Sequence, residues 1–223
     1  MKKYRTRKEK ALYRTLILAV LIMVLSLTNA VNFLPRQALR DIMDKQNVTE
    51  MEVVQRFYDN KLKVYRLARQ YLVEGKEAVV LCAVGFDPLM GWYDRDWCAV
   101  GTSDGNGLHI GYRGHQQGDA YSGYFFGRLD DEDIAHVAIW LEGEAVSWAV
   151  FGVEDTALED AIFRGENGKR YLLCDLAALS ASGMEVDREE MLYHNMTARA
   201  FDKDGKLLAE EEVHWHDWGT SDK

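Results

Sequence analysis

Residues 198–208 read ARAFDKDGKLL, and they give the clearest indication of the fold class. Two runs suited to β-strands, residues 191–201 and 206–216, flank the turn signal Asp202-Lys203-Asp204-Gly205. Glycine adopts the positive φ angles that tight hairpin turns require. The stretch therefore predicts two antiparallel strands joined by a short turn.

Short strand-like runs separated by turn signals also occur throughout the last two-thirds of the chain. Glycine-containing turn signals recur at residues 104–107, 142–143 and 167–168. Many short strands at this spacing predict a mainly β fold, with an antiparallel β-sandwich of the immunoglobulin-like kind over residues 76–223. The further strands are predicted at residues 78–84, 97–102, 108–113, 121–127, 134–141, 145–153 and 169–174.

The N-terminus has a different composition. Residues 1–14 carry seven basic side chains and one acidic side chain, and residues 15–34 carry no charge. A helix of about 20 apolar residues spans the hydrocarbon core of a bilayer, and basic flanks stay in the cytoplasm. The sequence predicts a cytoplasmic tip at 1–14 and a transmembrane signal-anchor helix at 15–34. The localisation that follows is a single-pass cell-membrane protein with an extracytoplasmic C-terminal domain.

A cleavable signal peptide is the alternative for this segment. A signal peptide also has a basic start followed by an apolar core, and Thr28-Asn29-Ala30 resembles a cleavage site. The apolar run continues past this point to Leu34, which favours an uncleaved anchor. Whether residues 1–30 are removed stays open.

A helical membrane-proximal segment is predicted for residues 35–75. Pro35 is expected to end the apolar helix, and Thr49 with Glu52 has the spacing of a capping box. Apolar residues then recur at helical intervals from position 54 to position 72. The pattern predicts an amphipathic helix between the anchor and the β domain.

The charge balance limits the partners of the domain. The whole chain has a formal net charge of −9, but residues 35–223 hold 20 basic and 35 acidic side chains. An acidic domain repels phosphate backbones, so nucleic acid is excluded as a partner.

Three stretches, residues 135–140, 168–173 and 198–208, carry a resemblance. The pattern from 134 to 208, about a third of the chain, is similar to that of small envelope proteins of Gram-positive bacteria. These proteins join one N-terminal span to a β-sandwich-like domain. The resemblance implies the same topology and no defined activity.

The histidines near the C-terminus are the sharpest local feature. Alternate residues of a strand face the same way, and two imidazoles at this spacing can share a metal ion if a third ligand joins them. A solvated polar face is the interpretation that we favour, so neither a metal nor a cofactor is predicted. The row consists of Glu210, Glu212, His214 and His216, with His194 and Asp217 as further candidate ligands.

The cysteines leave two alternatives. Outside the cytoplasm a disulfide between Cys82 and Cys98 is permitted, whereas three buried free thiols, with Cys174 as the third, are the other possibility. The acidic run at 130–133 has the ligand chemistry for Ca²⁺, but it lacks the spaced loop of a calcium site. A solvated turn is favoured there.

The aromatic residues between positions 87 and 127 have two interpretations. On loops they would supply contact area for peptide or sugar partners, and on strands they would fill a core, which is favoured. These residues are Trp92, Tyr93, Trp97, Tyr112, His115, Tyr121, Tyr124 and Phe125.

No catalytic residue is identified by sequence motif. The chain has no glycine-rich phosphate loop with Lys and Ser or Thr, no Gly-x-Ser-x-Gly turn and no His-Glu-x-x-His helix. We therefore predict an extracytoplasmic interaction or sensing module that binds protein, peptide or glycan. The alternatives are an anchored hydrolase using carboxylates or a His-bound metal, and a structural accessory subunit of a membrane complex.

Overall fold

The computed structural model of the protein describes residues 7–27, 32–57, 69–88, 91–103, 107–117, 120–141, 149–152, 161–175 and 195–217. Side chains are described for these residues except at 25–27, 115–117, 120–122, 149–152 and 214–217.

Two helices precede thirteen strands in these ranges. The helices are α1 (Arg7–Leu27) and α2 (Pro35–Lys45). The strands are β1 (Glu52–Phe57), β2 (Arg69–Glu74), β3 (Ala78–Asp87), β4 (Gly91–Gly101), β5 (Leu108–Gln117), β6 (Ala120–Leu129), β7 (His136–Leu141), β8 (Ala149–Gly152), β9 (Ile162–Arg164), β10 (Arg170–Asp175), β11 (Met196–Phe201), β12 (Leu207–Glu212) and β13 (His214–Asp217).

The strands form three sheets. Sheet A has the order β1-β2-β3-β4, sheet B the order β13-β5-β6-β10-β9, and sheet C the order β12-β11-β7-β8. Pairing between neighbours is antiparallel except for β13, which lies parallel to β5. The prediction of a mainly β fold with antiparallel sheets is therefore confirmed, and the described residues form three sheets.

The sheets stack in layers because their strands alternate inward and outward side chains. One face of sheet A packs on α2 through a cluster that includes Leu39, Ile42 and Val80. Its other face packs on sheet B through Leu72, Leu81 and Phe126, among others. The far face of sheet B meets sheet C through a third cluster, which includes Phe125, Leu172, Ile139 and Ala198.

The predicted turn at residues 202–205 is present between β11 and β12. Gly205 has a φ of 79°, a conformation that other residues rarely adopt. The Asp202 carboxylate accepts hydrogen bonds from the backbone N–H groups of Asp204 and Lys206, at 2.9 Å each. The side chain therefore stabilises the turn that the sequence indicates.

The predicted amphipathic helix up to residue 75 is wrong for the described residues. Residues 52–57 and 69–74 are the antiparallel strands β1 and β2, so α2 is the helical part of this segment among its described residues, 35–57 and 69–75. Both stretches are rich in β-branched and aromatic side chains, such as Val53, Val54 and Tyr71, which favour strands when a neighbouring sheet is available. Among the described residues, the apparent helical period combined positions of β1 with positions of β2.

Pro35 begins α2 instead of ending the apolar helix. Proline suits the first helical position because its missing N–H would have no partner in the first turn. Every described side chain of α1, from Arg7 to Val24, is exposed. Among the described residues, no helix is both long enough and apolar enough to cross a membrane.

Candidate functional site

A dense cluster of ionisable groups lies between sheets A and B, centred on Glu74 at the end of β2. This carboxylate is 3% exposed. Oε1 accepts hydrogen bonds from Arg128 Nη1 and from Lys169 Nζ, both at 2.8 Å. Oε2 accepts hydrogen bonds from Tyr171 Oη at 2.5 Å and from Asn167 Nδ2 at 2.9 Å. Four donors therefore hold one buried carboxylate, which satisfies the condition for burying a charge.

The network continues from Arg128 to a buried histidine. The Arg128 guanidinium donates to Asp130 Oδ2 at 2.7 Å. Asp130 Oδ2 lies 3.3 Å from Nε2 of His109, and Nδ1 of the same imidazole lies 3.8 Å from Oε2 of Glu211. The chain of contacts thus joins sheet A to sheet B and reaches β12 of sheet C. We call the residues from Glu74 through Arg128, Asp130 and His109 to Glu211 the interlayer network.

Strand alternation explains why these side chains converge. On β5, Leu108, Ile110 and Tyr112 pack toward sheet C, so His109 projects toward the opposite face. On β6, Tyr124 and Phe126 pack toward sheet A, and Arg128 follows on the same face. Glu211 reaches the network because the chain passes from β12 of sheet C to β13 of sheet B at the buried Val213.

Burial and hydrogen bonding act in opposite directions on Glu74. Burial raises the pKa of this carboxyl, but the hydrogen bonds from Lys169, Tyr171 and Arg128 together outweigh it and hold the pKa below its ordinary value. Burial and the hydrogen bond to Glu74 raise the pKa of Tyr171. The carboxylate is therefore charged and the phenol neutral in the folded protein at neutral pH.

A second buried charge lies in the same interface, farther along β5. Arg113 is 3% exposed and donates a hydrogen bond to Gln70 Oε1. Its Nε lies 3.7 Å from Asp96 Oδ1, and its guanidinium lies 5.6 Å from the ring centre of Tyr124. Sheets A and B are thus joined by polar contacts at two separate places.

The interlayer network is buried except at Asp130, whose side chain is 39% exposed, and this burial limits its chemistry. His109 is 0% exposed, so a substrate cannot touch the imidazole in this conformation. General acid–base catalysis needs the catalytic group within hydrogen-bond reach of the reacting atom. What the arrangement can do is hold three sheets in register and make their packing depend on protonation.

The C-terminal histidines lie on β13, but their side chains are outside the described ones. The predicted strand at 206–216 is divided into β12 and β13, so the predicted row of Glu210, Glu212, His214 and His216 spans two sheets. Glu210 pairs with Arg199 on the outer face of sheet C, at 2.5 Å. Within the described residues, no three His, Cys, Asp or Glu side chains are grouped to hold a metal ion. His194 lies outside the described residues.

The acidic run at 130–133 is neutralised by arginines. The Arg164 guanidinium donates to both carboxylate oxygens of Glu132, at 3.0 and 2.6 Å. Arg170 donates to the backbone carbonyls of Asp131, Glu132 and Ile134. Guanidinium groups therefore contact the Glu132 carboxylate and three backbone carbonyls of this turn, while Asp131 Oδ1 accepts a hydrogen bond from the backbone N–H of Asp133.

The three cysteines are free and buried. Cys98 pairs in register with Leu81, one residue before Cys82, and adjacent strand residues point to opposite faces. Cys82 accordingly packs toward α2 and Cys98 toward sheet B, so the two thiols cannot join. Burial raises the pKa of each thiol, including that of Cys174, to about 12.

Most of the aromatic side chains between positions 87 and 127 fill the core. Tyr112, Tyr124 and Phe125 are buried, and Trp97 packs against the cluster under α2. The side chains of His115 and Tyr121 lie outside the described ones, and Trp92 and Tyr93 are half-buried.

The outer face of sheet C carries a different set of flat side chains. The His136 and Phe201 rings stack at 5.0 Å with an interplanar angle of 13°. The Arg199 guanidinium lies 4.8 Å from the ring centre of Trp140. We call these four residues the sheet C platform. All four are half-buried, so part of each flat group is open to solvent.

Apart from Asp130, which lies in the acidic run at 130–133, sequence reasoning missed the interlayer network. Part of the signal was present in the sequence, since His109 interrupts an apolar run on the predicted strand at 108–113 and Arg128 directly follows the predicted strand at 121–127. A single sequence does not show that Glu74, 54 positions from Arg128, is the partner.

No protein-family model, curated protein or solved structure matches this chain.

Proposed function

We propose that the protein is a membrane-anchored, extracytoplasmic interaction or sensing module. The observation that carries the proposal is the exposure of the apolar side chains of α1. Leu16, Leu18, Leu21 and Met23 are each more than half exposed. Contiguous apolar surface of this kind marks a contact with a membrane or another protein.

The sequence supports a bilayer as the contact. Residues 15–34 carry no charge, and the 17 of them that precede Asn32, the residue that bridges to Gly91, reach the lower end of the range for a membrane span. Arg14 stands next to it, and long basic side chains at helix ends extend to the polar interface. Basic residues precede the stretch, so the positive-inside rule puts the β domain outside the cytoplasm.

The sheet C platform supports binding of protein, peptide or glycan by the domain. Aromatic rings and guanidinium planes offer stiff contact area at a low entropic cost, and Arg199 also has a carboxylate partner in Glu210. Sheets B and C, which pack face to face, are the sandwich-like part of the molecule. The resemblance to Gram-positive envelope proteins supports the same topology.

The anchor is tested by carbonate extraction of membranes that contain the full chain. We expect the parent to stay with the membrane and a Leu18→Asp, Leu21→Asp variant to be released, because Asp at the centre of a span costs about 3 kcal/mol per residue. Leu12→Asp is the matched control, since Leu12 is 70% exposed but precedes the uncharged stretch. Release of the parent, or equal retention of all three proteins, contradicts the anchor.

Two further measurements complete this test. Protease added to spheroplasts should digest the β domain, and protection until lysis would reverse the topology. N-terminal sequencing should find residues 1–14 in the mature protein. A mature chain that starts at Val31 would show a cleaved signal peptide.

The binding face is tested by Arg199→Ala in the full chain, measured against purified cell-wall glycan fragments and peptides. We expect weaker binding than for the parent. Arg164→Ala removes an exposed arginine that also pairs with a carboxylate, and it should bind like the parent. Equal binding by both variants would exclude the sheet C platform.

A further inference from the structure

The residues that follow the apolar stretch are fixed on the β domain. Asn32 O accepts a hydrogen bond from the Trp92 backbone N–H at 2.7 Å, and Asn32 forms a bridge with Gly91 at the start of β4. The Asn32 side-chain amide donates to Asp41 Oδ2 of α2, also at 2.7 Å. The chain is thus held at a defined point where it enters the domain.

Exposed apolar side chains surround this entry point. Phe86 pairs with Trp92 in register across β3 and β4, and their ring centres lie 5.4 Å apart. Phe86 is 38% exposed, and Phe33 and Leu34, which follow Asn32 directly, are 36% and 62% exposed. We call Phe33, Leu34, Phe86 and Trp92 the entry patch.

Basic groups accompany the entry patch. The Arg69 guanidinium lies 4.8 Å from the ring centre of Trp92. Arg36 and Arg40 are exposed on α2, four residues apart and therefore on one side of the helix. Three acidic residues also lie near the patch: Asp41 accepts a hydrogen bond from Asn32, Asp94 pairs with Lys45, and Asp87 follows Phe86 along β3. An aromatic and basic surface on an otherwise acidic domain has the composition of membrane-interface contacts.

Chain length keeps the entry patch close to α1. Five peptide steps separate Leu27 from Asn32, and an extended chain advances at most about 3.5 Å per residue. Asn32 therefore lies within about 17 Å of the last residue of α1. If α1 is in the bilayer, the entry patch is at the depth of the lipid headgroups.

We propose that the entry patch is a second membrane contact, which inserts Phe86 and Trp92 into the headgroup region beside the anchor. The proposal rests on the membrane anchor proposed above. It goes further because two strands of sheet A, distant in sequence from α1, touch lipid. The domain is then held in one orientation on the bilayer, with α2 and this end of sheet A toward the lipid.

The test uses a fluorescent reporter on the full chain in liposomes that contain anionic lipid. Phe86→Cys is labelled with an environment-sensitive thiol dye. The native thiols of Cys82, Cys98 and Cys174 are buried with pKa values raised to about 12, so they are poor targets for labelling. Leu207→Cys is the matched control, because Leu207 is 46% exposed but lies on sheet C, across the molecule.

We expect the dye at position 86 to shift to shorter wavelength and to be quenched several-fold more strongly by headgroup-region nitroxide lipids than the dye at position 207. Quenching of tryptophan fluorescence by brominated lipids gives a second measurement on the native surface. Trp92→Phe should lose most of that quenching. Equal, water-like signals at positions 86 and 207, with no loss in Trp92→Phe, would overturn the proposal.

Flotation of the same liposomes separates the two proposals. If the protein floats with lipid and position 86 reports water, the entry patch is rejected and the anchor stands. If the protein does not float, the anchor is rejected and the entry patch with it.

Discussion

The two interfaces of sheet B differ in how they are held. The interface with sheet C is made of apolar side chains, from Leu108 and Phe125 to Ile139 and Ala198. The interface with sheet A also contains an apolar cluster, but the interlayer network and the Arg113 contacts cross it. Sheet B thus packs on sheet C mainly through apolar area, with the contact of His109 and Glu211 as a polar addition, and on sheet A through apolar area plus several directed polar contacts.

The two interfaces therefore differ in how they respond to small shifts between the sheets and to the loss of a polar partner. Apolar contacts are non-directional and insensitive to pH, so the B–C interface accepts small shifts between the sheets. A buried carboxylate with four donors has one satisfactory geometry, and losing a partner leaves a buried charge uncompensated. We infer that the network fixes the register between sheets A and B and makes that interface responsive to protonation.

The largest effect is expected at the apolar interface. Phe125 is 0% exposed, and its ring centre lies 5.0 Å from that of Tyr112. Phe125→Ala should reduce the free energy of unfolding by about 3–5 kcal/mol, measured by urea unfolding of the full chain in detergent. The loss should be the same at pH 5 and pH 7. A loss that varies with pH would show that the two interfaces are not independent.

Glu74→Gln is the corresponding change in the interlayer network. The amide is close in shape but has no charge to compensate Arg128 and Lys169, so we expect a loss of about 3 kcal/mol at pH 7. The measurement is again urea unfolding. An unchanged free energy of unfolding would mean that the network contributes no net stability.

The strands could be predicted because their signals are local. Alternation and turns such as Asp202–Gly205 need only a few residues, and all nine predicted strands overlap strands of the structure. β1 and β2 were missed because Val54, Tyr71 and their neighbours fit a helical spacing as well. The choice between helix and strand depends on pairing with β3, which is a tertiary contact that the local sequence does not show.

The candidate site could not be predicted because its parts are distant in sequence. Glu74 and Tyr171 are 97 residues apart, and no local pattern pairs them. The histidine row drew attention because its residues are close together along the chain. The structure instead divides that stretch between two sheets and brings Glu211 to His109.

Acidification should reduce the effect of Glu74. Its folded-state pKa lies below the ordinary value of 4.5, so the stability that it contributes is fully present above that value. The contribution is lost as the pH falls below 4.5 and through the folded-state pKa. The difference in unfolding free energy between the parent and Glu74→Gln should therefore shrink between pH 5 and pH 3. A difference that stays constant over this range would contradict the lowered pKa.

The smallest effect is expected for Glu210→Gln, which makes the same substitution at an exposed carboxylate. Glu210 lies 2.5 Å from Arg199, but the two side chains are 47% and 35% exposed. Water screens such a pair and competes for its hydrogen bonds, so the change in unfolding free energy should stay within about 0.5 kcal/mol. Both variants lose one negative charge next to an arginine, and burial is the main difference between them. If Glu210→Gln reduced the free energy of unfolding as much as Glu74→Gln does, charge pairing would stabilise this domain whether or not the carboxylate is buried. Burial of Glu74 between sheets A and B would then not explain its effect.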